Sequence, residues 1–291
     1  MRSVAMDKKT TGMFAAPTAT ILAAAALTVS FAVTPSMARE LDGGPQEEID
    51  RTWTKGLVYL PDGQGGQTRQ TIGDFEAGGF SLPDGVGPTL PVIVQLHGCD
   101  GIGSVPKRSA MIFSSQGYAV FLPDSFAREY KPTSCNPLIP RGSLHREVLG
   151  WRQAEADNAL SRAKDIPWVQ KDNIFMAGHS EGAITAATYV GQPVAGRVIE
   201  GWPCHAGWEE YIGLNSPKDE PVLSLYGEND PWFPDAIFDG DCGDFMGEHT
   251  KGTSVVYRSP DRLHDDHYLL YVKKVQDVVF AFLGEHTTPQ E

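Results

Sequence analysis

Five short apolar runs rich in β-branched and aromatic residues recur along the chain, most of them halted by glycine or proline. They are Val92-Ile93-Val94-Gln95-Leu96, Tyr118-Ala119-Val120-Phe121-Leu122, Asn173-Ile174-Phe175-Met176-Ala177, Val222-Leu223-Ser224-Leu225-Tyr226 and Ser254-Val255-Val256-Tyr257. Runs of this length and composition read as strands buried on both faces. Between them lie helical patterns over Arg108–Gln116, Glu147–Ile166, Ala183–Val190 and Tyr268–Leu283. The last carries apolar residues at Leu269, Leu270, Val272, Val275, Val278, Val279 and Phe282, one helical face. Strands alternating with helices in this way predict a mostly parallel sheet with helices on both faces. Ligands of such sheets bind beyond the carboxyl ends of the strands.

The first segment reads as a targeting signal rather than as part of that sheet. Arg2, Lys8 and Lys9 open the chain, and no charged residue then occurs from Thr10 to Ala38. An alanine-rich apolar run from Ile21 to Val33 leads to Ser36-Met37-Ala38, the small-residue pattern of a signal-peptide cleavage site. The expectation is a signal peptide over residues 1–38, a flexible segment over 39–50 and one domain over 51–286. The product would be exported, periplasmic or secreted, with no stable membrane insertion after cleavage. An uncleaved anchor is the alternative, but the run is shorter than the ~20 residues a spanning helix needs. A formal net charge of -13 disfavours nucleic acid and anionic membranes as partners, because both recruit clustered Lys and Arg. Oligomeric state is not legible.

Four cysteines, Cys99, Cys135, Cys204 and Cys242, are an even number for an oxidising compartment. Three pairings exist. Sequence order suggests Cys99–Cys135 and Cys204–Cys242, against the alternative that some are simply buried thiols.

Chemistry concentrates at the ends of the runs. Gly178-His179-Ser180-Glu181-Gly182 is the one G-x-S-x-G in the chain and lies between a strand and a helix, as a nucleophile elbow requires. A serine hydroxyl there needs a base to take its proton and an acid to orient that base. Tyr226-Gly227-Glu228-Asn229-Asp230 follows a strand run, making Asp230 the expected acid and Glu228 the alternative. The segment before the last helical pattern holds both His264 and His267. His264 is the expected base, since His267 lies closer to the helix start and so is less free to reach the elbow. His97 and His179 belong to motif turns and suit a positioning role. Two backbone N–H groups, those of Glu181 and Cys99, are placed to receive an oxyanion. His264-Asp265-Asp266-His267 is a weak metal motif with no further cluster to complete it, so no metal ligand is assigned. The chemistry requires no cofactor. Trp202, Trp208 and Trp232 follow strand runs, where they would line a pocket or pack the core.

Taken in order, several segments resemble the dienelactone hydrolase branch of the α/β-hydrolases. They are Pro91-Val92-Ile93-Val94-Gln95-Leu96-His97-Gly98-Cys99-Asp100-Gly101, Gly117-Tyr118-Ala119-Val120 with Asp124-Ser125-Phe126, Gly178–Gly182, Gly227-Glu228-Asn229-Asp230, and Pro260 with His264 four residues on. The resemblance spans about Pro91 to Leu283. It implies the α/β-hydrolase fold and a Ser180, Asp230, His264 triad. Two departures stand out: Ser180 occupies the place of the family's cysteine, and Asp265-Asp266 stands where an aromatic often follows the histidine. What the resemblance then implies is hydrolysis of a small carboxylic ester through an acyl-enzyme. A serine peptidase or amidase on the same fold, or a non-catalytic binding protein, are the competing expectations.

Overall fold

The computed structural model describes residues 43–289 apart from 137, 139 and 143. The expected signal peptide over 1–38 and cleavage at Arg39 lie outside the described residues. Eight strands form one sheet: β1 (Leu57–Pro61), β2 (Gln67–Thr71), β3 (Leu90–Leu96), β4 (Ala119–Leu122), β5 (Val169–His179), β6 (Gly196–Glu200), β7 (Val222–Gly227) and β8 (Gly252–Tyr257). Their spatial order is β2-β1-β4-β3-β5-β6-β7-β8. β1 runs antiparallel to both β2 and β4, and every other pairing is parallel.

Side chains alternate across this sheet. Val92, Val94 and Leu96 of β3 enter one core with Phe121 and Met176. Ile93 joins Val120 and Phe175 in the second core, on the opposite face. This is the period of two that a strand imposes, and both faces are covered. The first core receives α1 (Gln46–Lys55), α2 (Ile72–Ala77), α4 (Glu147–Asp165) and α5 (Glu181–Thr188). The second receives α3 (Ser104–Ser114) and α6 (Lys273–Glu285). Phe121 anchors the first core, stacked between Trp53 at 5.2 Å and Trp168 at 6.3 Å. Each such buried aromatic contributes roughly 2–3 kcal/mol through the apolar surface it removes from water.

Three expectations need correction. The domain does not begin at residue 51: α1 starts at Gln46 and buries Ile49, Thr52 and Trp53. Its charged Glu47, Glu48, Asp50 and Arg51 mask that apolar stripe in the sequence. Nor does it end at 286, since the Thr288 N–H donates to Asn173 Oδ1 at 2.7 Å. Finally, the last helix begins at Lys273 rather than Tyr268. Leu269 and Leu270 are buried, but as loop residues, and their N–H groups donate to Oε1 of Glu200 at 2.7 and 2.6 Å.

β6 carries no apolar signature because it is bounded by charge. Arg197 is buried and spends its guanidinium on Glu220, at short range, and on the carbonyls of Ala186 and Tyr189, each 2.8 Å away. Buried charges persist only when paired in this way. Both disulfides expected from sequence order are formed, Cys99–Cys135 and Cys204–Cys242. Among the described residues no helix is long and apolar enough to cross a membrane.

Candidate active site

β5 ends at His179 and α5 begins at Glu181, leaving Ser180 alone in the turn with φ 56° and ψ -120°. A non-glycine residue at positive φ is strained and persists only where its surroundings hold it. Here they do. The Ser180 N–H donates to the Glu200 carbonyl at 2.9 Å, and the Ser180 carbonyl receives Ala183 and Ile184 at 2.8 and 3.1 Å. The flanking glycines are steric necessities: a Cβ on Gly178 would lie 2.1 Å from the Gly182 carbonyl oxygen. One on Gly182 would lie 2.2 Å from that of Leu96. Ser180 is consequently presented at the carboxyl end of the sheet, 8% exposed.

Asp230 follows β7 and is buried. Its Oδ1 accepts the Trp232 N–H at 3.0 Å, and its Oδ2 accepts Nδ1–H of His267 at 2.6 Å. His264 does not reach Asp230. It sits on a 3-10 turn, Arg262–Asp265, with its carbonyl receiving the Asn229 N–H and its ring 3.2 Å from the Asn229 amide. The expected preference for His264 rested on a helix starting at Tyr268 and on the Pro260–His264 spacing of the resemblance. With that helix starting at Lys273, His267 lies in a loop and is free to turn towards Asp230. Glu228 faces Arg258 at 3.5 Å, so it does not replace Asp230 either.

The His267 ring is packed on three sides. Trp232 stacks on it at 5.2 Å, Phe233 lies at 5.8 Å and His179 at 4.8 Å. Gly201, next to the residue that holds Ser180, leaves room for it: a Cβ there would be 3.2 Å from Cε1 and Nδ1 of His267. Nε2 of His267 is buried and has no hydrogen-bond partner among the described residues, Ser180 Oγ included. The ring therefore offers Nε2 as an unclaimed acceptor while Asp230 fixes the tautomer. His179 donates from Nε2 to the His267 carbonyl at 3.3 Å. Burial, with the neighbouring His267 adding to it, pushes His179 down to about 3, so it stays neutral and positions the loop.

The loop after β3 faces Ser180 from the other side. His97 is buried and held neutral, its pKa well below the usual range through burial and the charge of Arg152. Its Nδ1–H donates to the Gly98 carbonyl at 2.7 Å, and Nε2 accepts the Ser125 N–H at 3.1 Å. The Cys99 N–H has no acceptor among the described residues, and Glu181 opens α5, where the first N–H groups lack intrahelical partners. These are the two donors expected for an oxyanion.

Of the three tryptophans, Trp202 is core, against Phe233 and Phe238, and Trp208 packs on Tyr211. Trp232 alone lines a cavity of about 410 Å³, with Pro140, Arg141, Ile237 and Phe238 among its walls. His264 and His267 diverge, and no group of three or more His, Cys, Asp or Glu among the described residues is arranged to hold a metal.

Sequence reasoning did not single out Arg152 or Glu200. Arg152 interrupts the α4 stripe of Leu149, Ala156, Ala159 and Ala163 at helical spacing, a charge on a face that must be buried. That was the available signal. Glu200, ending an unrecognised strand, left none.

No protein-family model and no curated protein matches the chain. Solved structures do. A putative dienelactone hydrolase from Klebsiella pneumoniae subsp. pneumoniae MGH 78578 superposes with a TM-score of 0.53 at 18% identity, covering 70% of this chain and 90% of that one. A dienelactone hydrolase-like promiscuous phosphotriesterase from metagenomic libraries gives 0.51 at 17%, with 79% and 95% covered. A third structure, named m3DLH, gives 0.53 at 16%, with 80% and 98% covered. With its strand order, its strained serine turn and these structural neighbours, the chain has the α/β-hydrolase fold, in a form similar to that of dienelactone hydrolase-like proteins.

Proposed function

We propose that the protein is a serine hydrolase that cleaves carboxylic esters through an acyl-enzyme, with Ser180 as nucleophile, His267 as base and Asp230 orienting it. The observation that carries this is Ser180 held at positive φ on a strand–helix turn, at the same sheet edge as an Asp230–His267 pair whose Nε2 has no partner among the described residues. Nε2 takes the Ser180 proton as Oγ bonds to the ester carbon, and the carbonyl electron pair moves onto oxygen. The N–H groups of Glu181 and Cys99 receive that charge. Collapse breaks the bond to the alcohol, which leaves with the proton from His267. Water then gives a proton to His267 and attacks acyl-Ser180, and the acid departs as Ser180 regains its hydrogen.

The cavity beside Trp232 supports an apolar or aromatic group on the substrate, since Trp232 joins it to the His267 ring. The two disulfides support the export expected from the leader-like segment, because such bonds persist in oxidising compartments. Mass measurement on protein from its native host tests this: a chain beginning at Arg39 is expected, and a full-length cytoplasmic product overturns it.

The reaction is tested by intact mass after brief mixing with an activated ester such as p-nitrophenyl butyrate. Parent protein should gain one acyl group, on Ser180, and Ser180→Ala should gain none while remaining folded. Turnover of amide but not ester substrates would favour a peptidase. Neither turnover nor labelling by a fluorophosphonate would leave a binding protein.

A further inference from the structure

We propose that Arg152 is a positioning residue that sets both oxyanion donors at once, and so acts on transition-state charge without touching substrate. This rests on the serine hydrolase reading of the site.

Arg152 is 2% exposed, inside the molecule on α4. Its guanidinium reaches both sides of the nucleophile. Nη1 donates to Glu181 Oε1 at 3.0 Å and lies 3.4 Å from the Gly98 carbonyl oxygen, while Nη2 donates to the His97 carbonyl at short range. The Gly98 contact decides a direction. In a planar trans peptide the C=O and N–H point to opposite sides, so holding the Gly98 oxygen aims the Cys99 N–H the other way. Arg152 shares that oxygen with His97 Nδ1–H and the Gly101 N–H. Gly98 itself abuts the nucleophile: a Cβ built on it would be 3.5 Å from Ser180 Cβ.

The second donor is set through its own side chain. A glutamate in the first turn of a helix ordinarily faces water near the helix N-terminus. Glu181 is instead 6% exposed, its carboxylate held by Arg152 and, through a short contact, by Ser134 Oγ–H. Anchoring that carboxylate limits rotation of the Ser180–Glu181 peptide, whose N–H is the donor. The segment carrying Ser134 also carries Cys135, bonded to Cys99. Both donor residues are thus tied to Arg152 and to one stretch of chain. A buried ion pair contributes little net stability over apolar side chains of equal volume. Its place beside the nucleophile is accounted for by geometry.

The test separates positioning from simple structural support by comparing an ester with its thionoester. Oxyanion donors stabilise developing negative charge on oxygen strongly and on the larger, weakly accepting sulfur poorly. Arg152→Met and Arg152→Lys, which keeps the charge but not the fork, should lose about 10²-fold in kcat on the oxygen ester. KM should change little, and the loss on the thionoester should be small. The ratio of the two kcat/KM values therefore falls by nearly the full factor. The double change Arg152→Met with Glu181→Met removes both buried charges and so guards against misfolding from an unpaired one. It should show the same collapse of the ratio. If oxygen and thiono rates fall together, Arg152 supports the fold only and the proposal is overturned, with the hydrolase reading intact. A parent inactive on both esters, with Ser180 unlabelled, overturns that reading and this one with it.

Discussion

Oδ2 of Asp230 lies 2.6 Å from Nδ1 of His267, and the opposite ring nitrogen has no hydrogen-bond partner among the described residues. A carboxylate so placed fixes which nitrogen carries the hydrogen and stabilises the imidazolium that forms on proton uptake. His267→Ala should therefore lose nearly as much ester turnover as Ser180→Ala, several orders of magnitude, and the double variant should be little worse than either. His264→Ala should stay within about tenfold, since its ring hydrogen-bonds Asn229 and not Asp230. Steady-state rates on one activated ester decide the matter. A dead His264 variant beside an active His267 variant would reverse the assignment.

Glu200 titrates in a range that makes stability depend on pH. Burial pushes its carboxyl from 4.5 up to about 7, against the pull of the Leu270 and Leu269 N–H groups. The native carboxyl then holds its proton more tightly than the unfolded one. Stability from this group is fully present below pH 4.5 and is lost as pH rises through about 7, a change on the order of 3 kcal/mol. Glu200→Gln keeps an acceptor oxygen for both N–H groups and cannot ionise. Urea unfolding at several pH values should show the variant gaining on the parent across that window. Parallel curves would contradict the burial argument.

The two disulfides close loops of nearly equal length, with separations of 36 and 38 residues. Chain entropy alone assigns each roughly 4 kcal/mol. Their placement differs, however. Cys204 and Cys242 lie in the first core, so Cys204→Ser with Cys242→Ser should lower Tm while folded protein keeps most of its kcat. Cys99 carries an expected oxyanion donor, so Cys99→Ser with Cys135→Ser should lower kcat as well as Tm. Equal kcat in the two double variants would remove the Cys99 loop from the site.

Trp232 stacks on His267 and walls the 410 Å³ cavity. Trp232→Ala should raise KM for aryl or long-chain acyl esters by about tenfold, the loss of one good apolar contact, and affect acetyl esters less. A uniform change across a panel of acyl lengths would place substrate elsewhere.

Whatever depends on a few adjacent residues was legible in the chain. The elbow is one such case, since only glycine fits at Gly178 and Gly182, where backbone carbonyls approach within 2.1–2.2 Å of any Cβ. Asp230 is another, in a turn that directly follows β7. The parallel sheet was visible because strands buried on both faces must be apolar. The edge strand β2, with its exposed polar residues, and β6, bounded by Arg197 and Glu200, escaped that rule.

Which histidine faces Asp230 is set only in three dimensions. His264 and His267 are three residues apart, and local pattern alone extends the final helix back to Tyr268. The Glu200 carboxyl, 4% exposed and far away in sequence, instead captures the N–H groups of Leu269 and Leu270. The chain there is held as a loop, and His267 turns to Asp230. Arg152 likewise shows locally only as a charge on a buried face; its partners lie across the fold, where it joins α4 to the loop after β3 and to the start of α5. Periodicity and motif spacing describe neighbours along the chain, whereas buried charges find their partners across the fold.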